Sequence, residues 1–234
     1  MLPYLEREHD VLAVTLAGHA GGPPIEGEVS EVALVDGVER AMDANGIERA
    51  HLVGCSLGGY IALQLAARGR AKSVVALAPA GGWAPGDESF RETLAFFRTM
   101  QDMLRAAVPY AETILASPEG RRRATEFATV NFEHIPADLL AHQMRGAADC
   151  KAAVPLIEYA EQEGWSLDAA RIDCPVRVVW GTEDRLLPWP KAAVRFQEEW
   201  LPTADWVVLE NVGHAPQMDV PLETAQLVLD FSRD

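Results

Sequence analysis

Residues 50–67 read AHLVGCSLGGYIALQLAA: a short apolar run reaches Gly54, and beyond Gly58 and Gly59 a long apolar, helix-forming run begins. Strand, tight turn and helix is the order this pattern predicts, with Ser56 at the point of the turn. A serine between Gly54 and Gly58 matches Gly-x-Ser-x-Gly, the nucleophile elbow, in which a Cβ on either flanking residue would collide with the turn. In such a turn the Ser56 hydroxyl stands clear of the strand, and the backbone N–H of Leu57, first in the helix, faces any oxyanion that forms there.

The same rhythm continues outward. Residues 10–17, DVLAVTLA, form an apolar run of strand length without alternation, as expected of a strand buried on both faces in a parallel sheet. The loop GHAGGPP over residues 18–24 follows; it lacks the Gly-Lys-Ser/Thr of a phosphate-binding loop, and Pro23-Pro24 denies a helix start there. Residues 30–44 carry Val32, Val35, Val38 and Met42 at helical spacing and close on Asn45-Gly46. After the elbow, SVVALA at residues 73–78 reads as another buried strand. Alternating strands and helices imply an α/β sheet, mostly parallel, with right-handed crossovers and helices on both faces.

Between residues 83 and 170 no strand-like run occurs; helical stretches are expected over residues 89–105, 110–115, 119–131, 138–147 and 152–162. The sheet resumes with VRVVW at 176–180, a helix over 190–200, WVVLE at 206–210 and a last helix over 222–231. About five strands are therefore expected. The implied division is a first core segment (1–82), a helical lid insertion (83–170) and a second core segment (171–234).

A formal net charge of −15 over 234 residues excludes nucleic acid and anionic membrane surfaces as natural partners, since both would repel it. Cys55, Cys150 and Cys174 are odd in number, widely spaced and without a C-x-x-C pair, as in a reduced, cytoplasmic protein, and they form neither a disulfide framework nor a zinc site. Glu6, Glu8 and Asp10 interrupt the stretch where a signal peptide would be apolar. No ligand spacing for a metal is present, and no cofactor is called for. A small molecule is the expected partner; oligomeric state has no signature here.

Two loops at the carboxyl ends of the late strands carry the remaining chemistry, because catalytic groups in open α/β sheets gather at that edge. The first holds Glu183 and Asp184, the second His214. A serine hydroxyl is a poor nucleophile at neutral pH; it needs a base within reach and an acid to fix the tautomer of that base. Ser56, Asp184 and His214 stand in the required order, with Glu183 as a substitute acid one residue nearer the strand.

The segments VLAVTLAGHAG, HLVGCSLGGYIALQLAA, VVALAPAGGW, CPVRVVWGTEDRLLP and LENVGHAPQMDVPLETAQLVLDF together resemble the α/β-hydrolase superfamily, in its lid-bearing, serine esterase-like branch. The resemblance implies Ser56 as nucleophile, Asp184 as acid, His214 as base and the Leu57 amide as one oxyanion donor. It implies hydrolysis of a small, largely apolar carboxylic ester or thioester through an acyl-enzyme. Relatives with the same triad perform C–C bond hydrolysis or perhydrolysis, and a ligand-binding module without efficient catalysis is a third possibility. Serine in place of the aspartate of dehalogenase and epoxide-hydrolase relatives favours acyl chemistry.

Departures from the family pattern are equally informative. Two amino-terminal antiparallel strands and a third strand ending in a His-Gly-type loop, which supplies the second oxyanion donor, have no counterpart. In the family that third strand lies between the strands expected at residues 11–17 and 52–54. Without it, unpaired backbone groups would each cost about 1 to 3 kcal/mol, and the lost oxyanion donor about 2.7 to 4 kcal/mol of transition-state stabilisation. The chain is thus expected to fold poorly alone, as a late-starting product of a longer hydrolase would. Thr15, Ala17 and Ala20 also depart from the family's usual Asp, Pro and Gly. Trp83, Phe96, Met100, Met103 and Leu186 are the expected lining of the substrate pocket. Arg121, Arg122 and Arg123 read as a solvated helix face in preference to an anion site, and Cys55 as a small buried filler.

Overall fold

A computed structural model describes residues 1–233. In chain order its elements are α1 (Leu2–Leu5), α2 (Glu31–Ala44), β1 (Ala50–Cys55), α3 (Leu57–Ala67) and β2 (Ala71–Leu77). Five helices follow: α4 (Ser89–Ala107), α5 (Ala111–Leu115), α6 (Pro118–Thr125), α7 (Ala137–Ala148) and α8 (Ala153–Glu163). Then come β3 (Val176–Gly181), β4 (Asp205–Leu209), α9 (Pro216–Asp219) and α10 (Pro221–Phe231).

The four strands are all parallel and lie side by side in chain order, β1-β2-β3-β4. Side chains of successive strand residues point to opposite faces, and the two faces bury different helices. Val74, Ala76, Val178 and Trp180 pack with Ala62, Leu63 and Ala66 of α3 and with Phe196. Val75, Leu77 and Val179 pack on the other side with Leu5 of α1 and Ala225 and Val228 of α10. Helix α2 lies outside α3: Ser30 Oγ caps it by accepting from Ala33 N at 3.1 Å, and Leu34, Val35, Val38 and Met42 meet Ile61 and Leu65. The buried stripe is thus centred on Leu34, while Val32, expected on it, is 50% exposed.

Phe196 is completely buried against Trp200, with ring centroids 5.1 Å apart. Phe196→Ala should therefore cost about 3–5 kcal/mol, read from the midpoint of urea denaturation at unchanged slope.

Three expectations are corrected. Residues 10–16 form no strand, and Leu12 and Val14 are 42% and 37% exposed. An apolar run becomes a strand only beside a neighbour with which to exchange hydrogen bonds. Here the run faces β1 across a cleft of about 840 Å³, lined by Val11, Leu12, Val14, Leu52, Val53 and Ser56 among others. Among the described residues the sheet therefore has four strands, not about five, and β1 is an edge. Second, the stretch 190–200 is a 3₁₀ turn (Lys191–Ala193) running into a π turn (Phe196–Trp200), not a regular helix. Third, the helix expected over 119–131 ends at Thr125: Ala128 N and Thr129 N both turn back onto Thr125 O, and the amides of Val130 and Asn131 donate to the Asp219 carboxylate. No helix among the described residues is long and apolar enough to cross a membrane.

Candidate active site

The carboxyl ends of the four strands are tied together by backbone hydrogen bonds that continue past the strands themselves. Ser56 N donates to Leu77 O (2.8 Å), Ala78 N to Val179 O (2.8 Å), Thr182 N to Leu209 O (3.0 Å) and Glu183 N to Val212 O (2.9 Å). Each loop expected to carry a functional side chain thus leaves the sheet at the same rim.

Ser56 stands between β1 and α3 with φ 55° and ψ −119°. A non-glycine residue at positive φ is strained by about 1–3 kcal/mol and persists only where its surroundings enforce it. Here the Ser56 carbonyl accepts from Tyr60 N and Ala80 N, both at 3.1 Å, which closes the turn from two sides. A Cβ on Gly54 would lie 2.1 Å from Gly58 O, so the strand end tolerates only glycine. Gly58 differs from expectation: a Cβ there meets nothing within 4 Å. The second close approach belongs to Gly59, whose Cβ would lie 3.0 Å from Gly54 O. Leu57 opens α3, so its N–H has no intrahelical acceptor, and the positive end of the helix dipole lies beside Ser56.

Asp184 and His214 form a buried pair, with side chains 0% and 7% exposed. His214 Nδ1–H donates to Asp184 Oδ2 at 2.8 Å, the carboxylate acceptor placing a proton on that nitrogen. The other oxygen, Oδ1, accepts from Leu186 N (2.9 Å) and Leu187 N (2.7 Å), so the loop's own backbone fixes the carboxylate independently of the imidazole. Glu183, the substitute acid, is exposed. The Cys55 thiol donates to His214 O at 3.6 Å, which seats the histidine loop against the residue preceding Ser56. Burial pushes that thiol up to about 12, so it is inert filler at neutral pH. Among the described residues the Ser56 hydroxyl makes no hydrogen bond, and contacts of this kind often tighten only once substrate is bound.

The expected pocket residues are not gathered beside Ser56. Trp83 is 6% exposed within the main core, against Phe90, and Leu186 packs onto the same core. Phe96 stacks on Phe127 with centroids 4.8 Å apart; Met100 is half-buried and Met103 is 51% exposed. None of the five lines the cleft that reaches Ser56 and Leu57. Arg121 caps α5 through Leu115 O at 3.1 Å, and Arg122 and Arg123 are exposed. No group of three or more His, Cys, Asp or Glu side chains converges on a point that would hold a metal, among the described residues.

One residue that sequence reasoning missed is Asp219. It is 2% exposed, and its carboxylate accepts from Gly213 N (2.6 Å), Val130 N (2.9 Å), Asn131 N (2.6 Å) and Asn131 Nδ2 (2.9 Å). As one of 35 acidic residues it carries no periodicity or motif signal; three of its four donors come from a segment about ninety positions away in the chain.

The model of the alpha/beta hydrolase family matches residues 1–227. Among curated proteins, "Epoxide hydrolase EphH" of Mycobacterium tuberculosis is 31% identical over 203 residues, covering 87% of this chain and 95% of that protein. "Putative carbamate hydrolase RutD" of Pseudomonas savastanoi pv. phaseolicola is 26% identical over 98% of this chain and 86% of its own length. Among solved structures, the 2-hydroxy-6-oxo-6-phenylhexa-2,4-dienoate hydrolase of Rhodococcus sp. strain RHA1 superposes with a TM-score of 0.72 at 23% identity, covering 100% of this chain and 83% of that one. With the family model running over almost all of its length and a parallel sheet presenting these loops at one rim, the chain belongs to the alpha/beta hydrolase family and is a hydrolase.

Proposed function

We propose that the protein cleaves a small, largely apolar carboxylic ester or thioester by double displacement, with Ser56 as nucleophile, His214 as general base and then acid, and Asp184 as the orienting acid. The observation that carries this reading is the buried 2.8 Å pair of His214 and Asp184, whose histidine backbone is held by the thiol of Cys55, the residue before the strained turn at Ser56. His214 Nε2 takes the Ser56 proton as Oγ attacks the carbonyl carbon. The tetrahedral oxyanion forms at the amino-terminal end of α3, where the Leu57 amide is one donor. His214 then protonates the leaving alcohol or thiol, and water, deprotonated by the same nitrogen, cleaves the acyl-enzyme.

Acyl chemistry is favoured over epoxide opening by the nucleophile itself. A serine oxygen that opened an epoxide would remain bound through an ether, which water does not cleave at neutral pH, whereas an acyl-serine is an ester that it does. The apolar part of the substrate is supported by the cleft beside Ser56, whose walls include Leu12, Val14, Leu16, Leu52 and Val53. In this reading residues 1–82 and 171–234 supply the core, and residues 83–170 form a cap over the rim.

Initial rates on a panel of short-chain p-nitrophenyl esters, alkyl thioesters, an aryl carbamate, a styrene-type epoxide and a vinylogous diketone test the proposal. Turnover of esters or thioesters, and not of the epoxide, is expected. Cleavage of the diketone alone would replace it with C–C bond hydrolysis. In the active panel member, Asp184→Asn should lower kcat by about 10⁴-fold with little change in KM, because an amide at that site favours the wrong imidazole tautomer.

A further inference from the structure

We infer that Asp219 is a positioning residue that locks the histidine loop to the segment 128–131, so that the placement of His214 depends on the seating of the helical region that segment belongs to. The inference rests on the reading of His214 as the general base.

The residues on either side of His214 are held by the same short segment. On one side, Gly213 N donates to Asp219 Oδ2 at 2.6 Å, and the same oxygen accepts from Val130 N at 2.9 Å. The second oxygen takes Asn131 N at 2.6 Å and Asn131 Nδ2 at 2.9 Å. On the other side, Ala215 N donates to Ala128 O at 2.9 Å. Between these two ties the backbones are in close contact: a Cβ on Gly213 would lie 2.8 Å from Ala128 O and 3.0 Å from Thr129 Cα.

Asp219 itself is set by the turn that begins at the histidine loop, since its N–H donates to Ala215 O at 2.9 Å. The carboxylate thus faces four N–H donors, two of them from one oxygen's side and two from the other's, while being 2% exposed. Only an acceptor with two oxygens satisfies that set. An amide in its place would turn an NH₂ toward at least one donor, leaving that N–H unpaired in a buried position. An NH₂ at the Oδ2 position would release both Gly213 N and Val130 N and open the tie on that side of His214, while at the Oδ1 position it would release Asn131 N and Nδ2 and leave Gly213 tied to the segment through Val130 alone. A displacement of the base by about 1 Å is enough to lower the rate on the order of a hundredfold.

The test compares wild type, Asp219→Asn and Asn131→Ala by two readouts. Asn131→Ala removes only one of the four contacts from an exposed residue, so it keeps a folded variant in the set. The first readout is amide hydrogen exchange, followed in peptides covering 126–132 and 210–216. In Asp219→Asn both peptides should lose protection together, by about tenfold or more, with a smaller loss of the same pattern in Asn131→Ala. The second is the rate at which a fluorophosphonate labels Ser56, together with kcat and KM, at a temperature where each variant is folded by circular dichroism. Asp219→Asn should lower labelling rate and kcat by about 10- to 100-fold with KM within about twofold; a residue with only a structural role would lower the melting temperature and leave kcat of the folded enzyme unchanged.

Unchanged exchange in the histidine-loop peptide, or wild-type kcat in folded Asp219→Asn, would overturn the inference. A wild type that takes no label would overturn the serine-hydrolase reading instead, while the paired exchange still decides whether Asp219 couples the two segments.

Discussion

Ser56→Ala is expected to lower kcat by about 10⁶-fold, while leaving KM and the melting temperature nearly unchanged. The size follows from the arrangement at the rim of the sheet. In the proposed mechanism the imidazole of His214, held through Nδ1 by Asp184, takes its proton from Ser56, and with no hydroxyl to activate, that preparation has no target. What remains is binding in the cleft and the oxyanion donor at Leu57, which alone leave a rate about 10³ to 10⁴ above water. Stability should hold because alanine meets the same backbone as serine. The strain at φ 55° is imposed by hydrogen bonds to the Ser56 carbonyl and from its amide, none of which uses the side chain. Progress curves at saturating ester and a thermal melt of the same preparation check both halves.

Gly54→Ala and Gly58→Ala should separate by several kcal/mol, although both belong to the same motif. A Cβ at residue 54 would sit 2.1 Å from Gly58 O and 2.2 Å from its carbonyl carbon. Both are backbone atoms at the first turn of α3, so relief requires moving the helix off the strand. A loss of about 4–5 kcal/mol or more is expected, enough to remove most of a marginal fold. At residue 58 a Cβ meets no atom within 4 Å, and the position is helical. There the substitution should be neutral or stabilising by up to about 1 kcal/mol, since alanine loses less backbone freedom than glycine in a helix. Urea denaturation of the two variants reads the difference; a folded Gly54→Ala with an unfolded Gly58→Ala would show that the turn closes differently.

The parts of the fold that could be read from the chain are those in which neighbours in sequence are neighbours in space. β1, α3 and β2 are such a unit, and its strand–turn–helix pattern predicts the position of Ser56 and the parallel pairing of β1 with β2. The strand expected over residues 10–17 failed because its apolar composition says nothing of a partner, and the partner side of β1 is a cleft. The second tight glycine was misplaced by one residue: Gly58 fits the motif, but the close approach to Gly54 O and Pro79 belongs to Gly59.

The preference for Asp184 over Glu183, which stands one residue nearer the strand, has a physical reason that spacing does not show. It follows from a turn in which the amides of Leu186 and Leu187 reach a side chain as short as aspartate. Pocket residues were the weakest reading, because apolar residues at helical spacing serve core and ligand equally well, and Trp83 went to the core. Asp219 was invisible for the opposite reason: three of its four donors lie about ninety residues away, and a buried carboxylate looks like any other acid until its donors are known.

The central claim is that Ser56 is an activated nucleophile. Intact-mass analysis after exposure to a fluorophosphonate, with peptide mapping of the product, tests it most directly. The account predicts a single adduct per chain, mapped to Ser56, absent in Ser56→Ala and strongly slowed in His214→Ala. A folded protein that takes no adduct, or takes it at another residue with Ser56 unmodified, would contradict it.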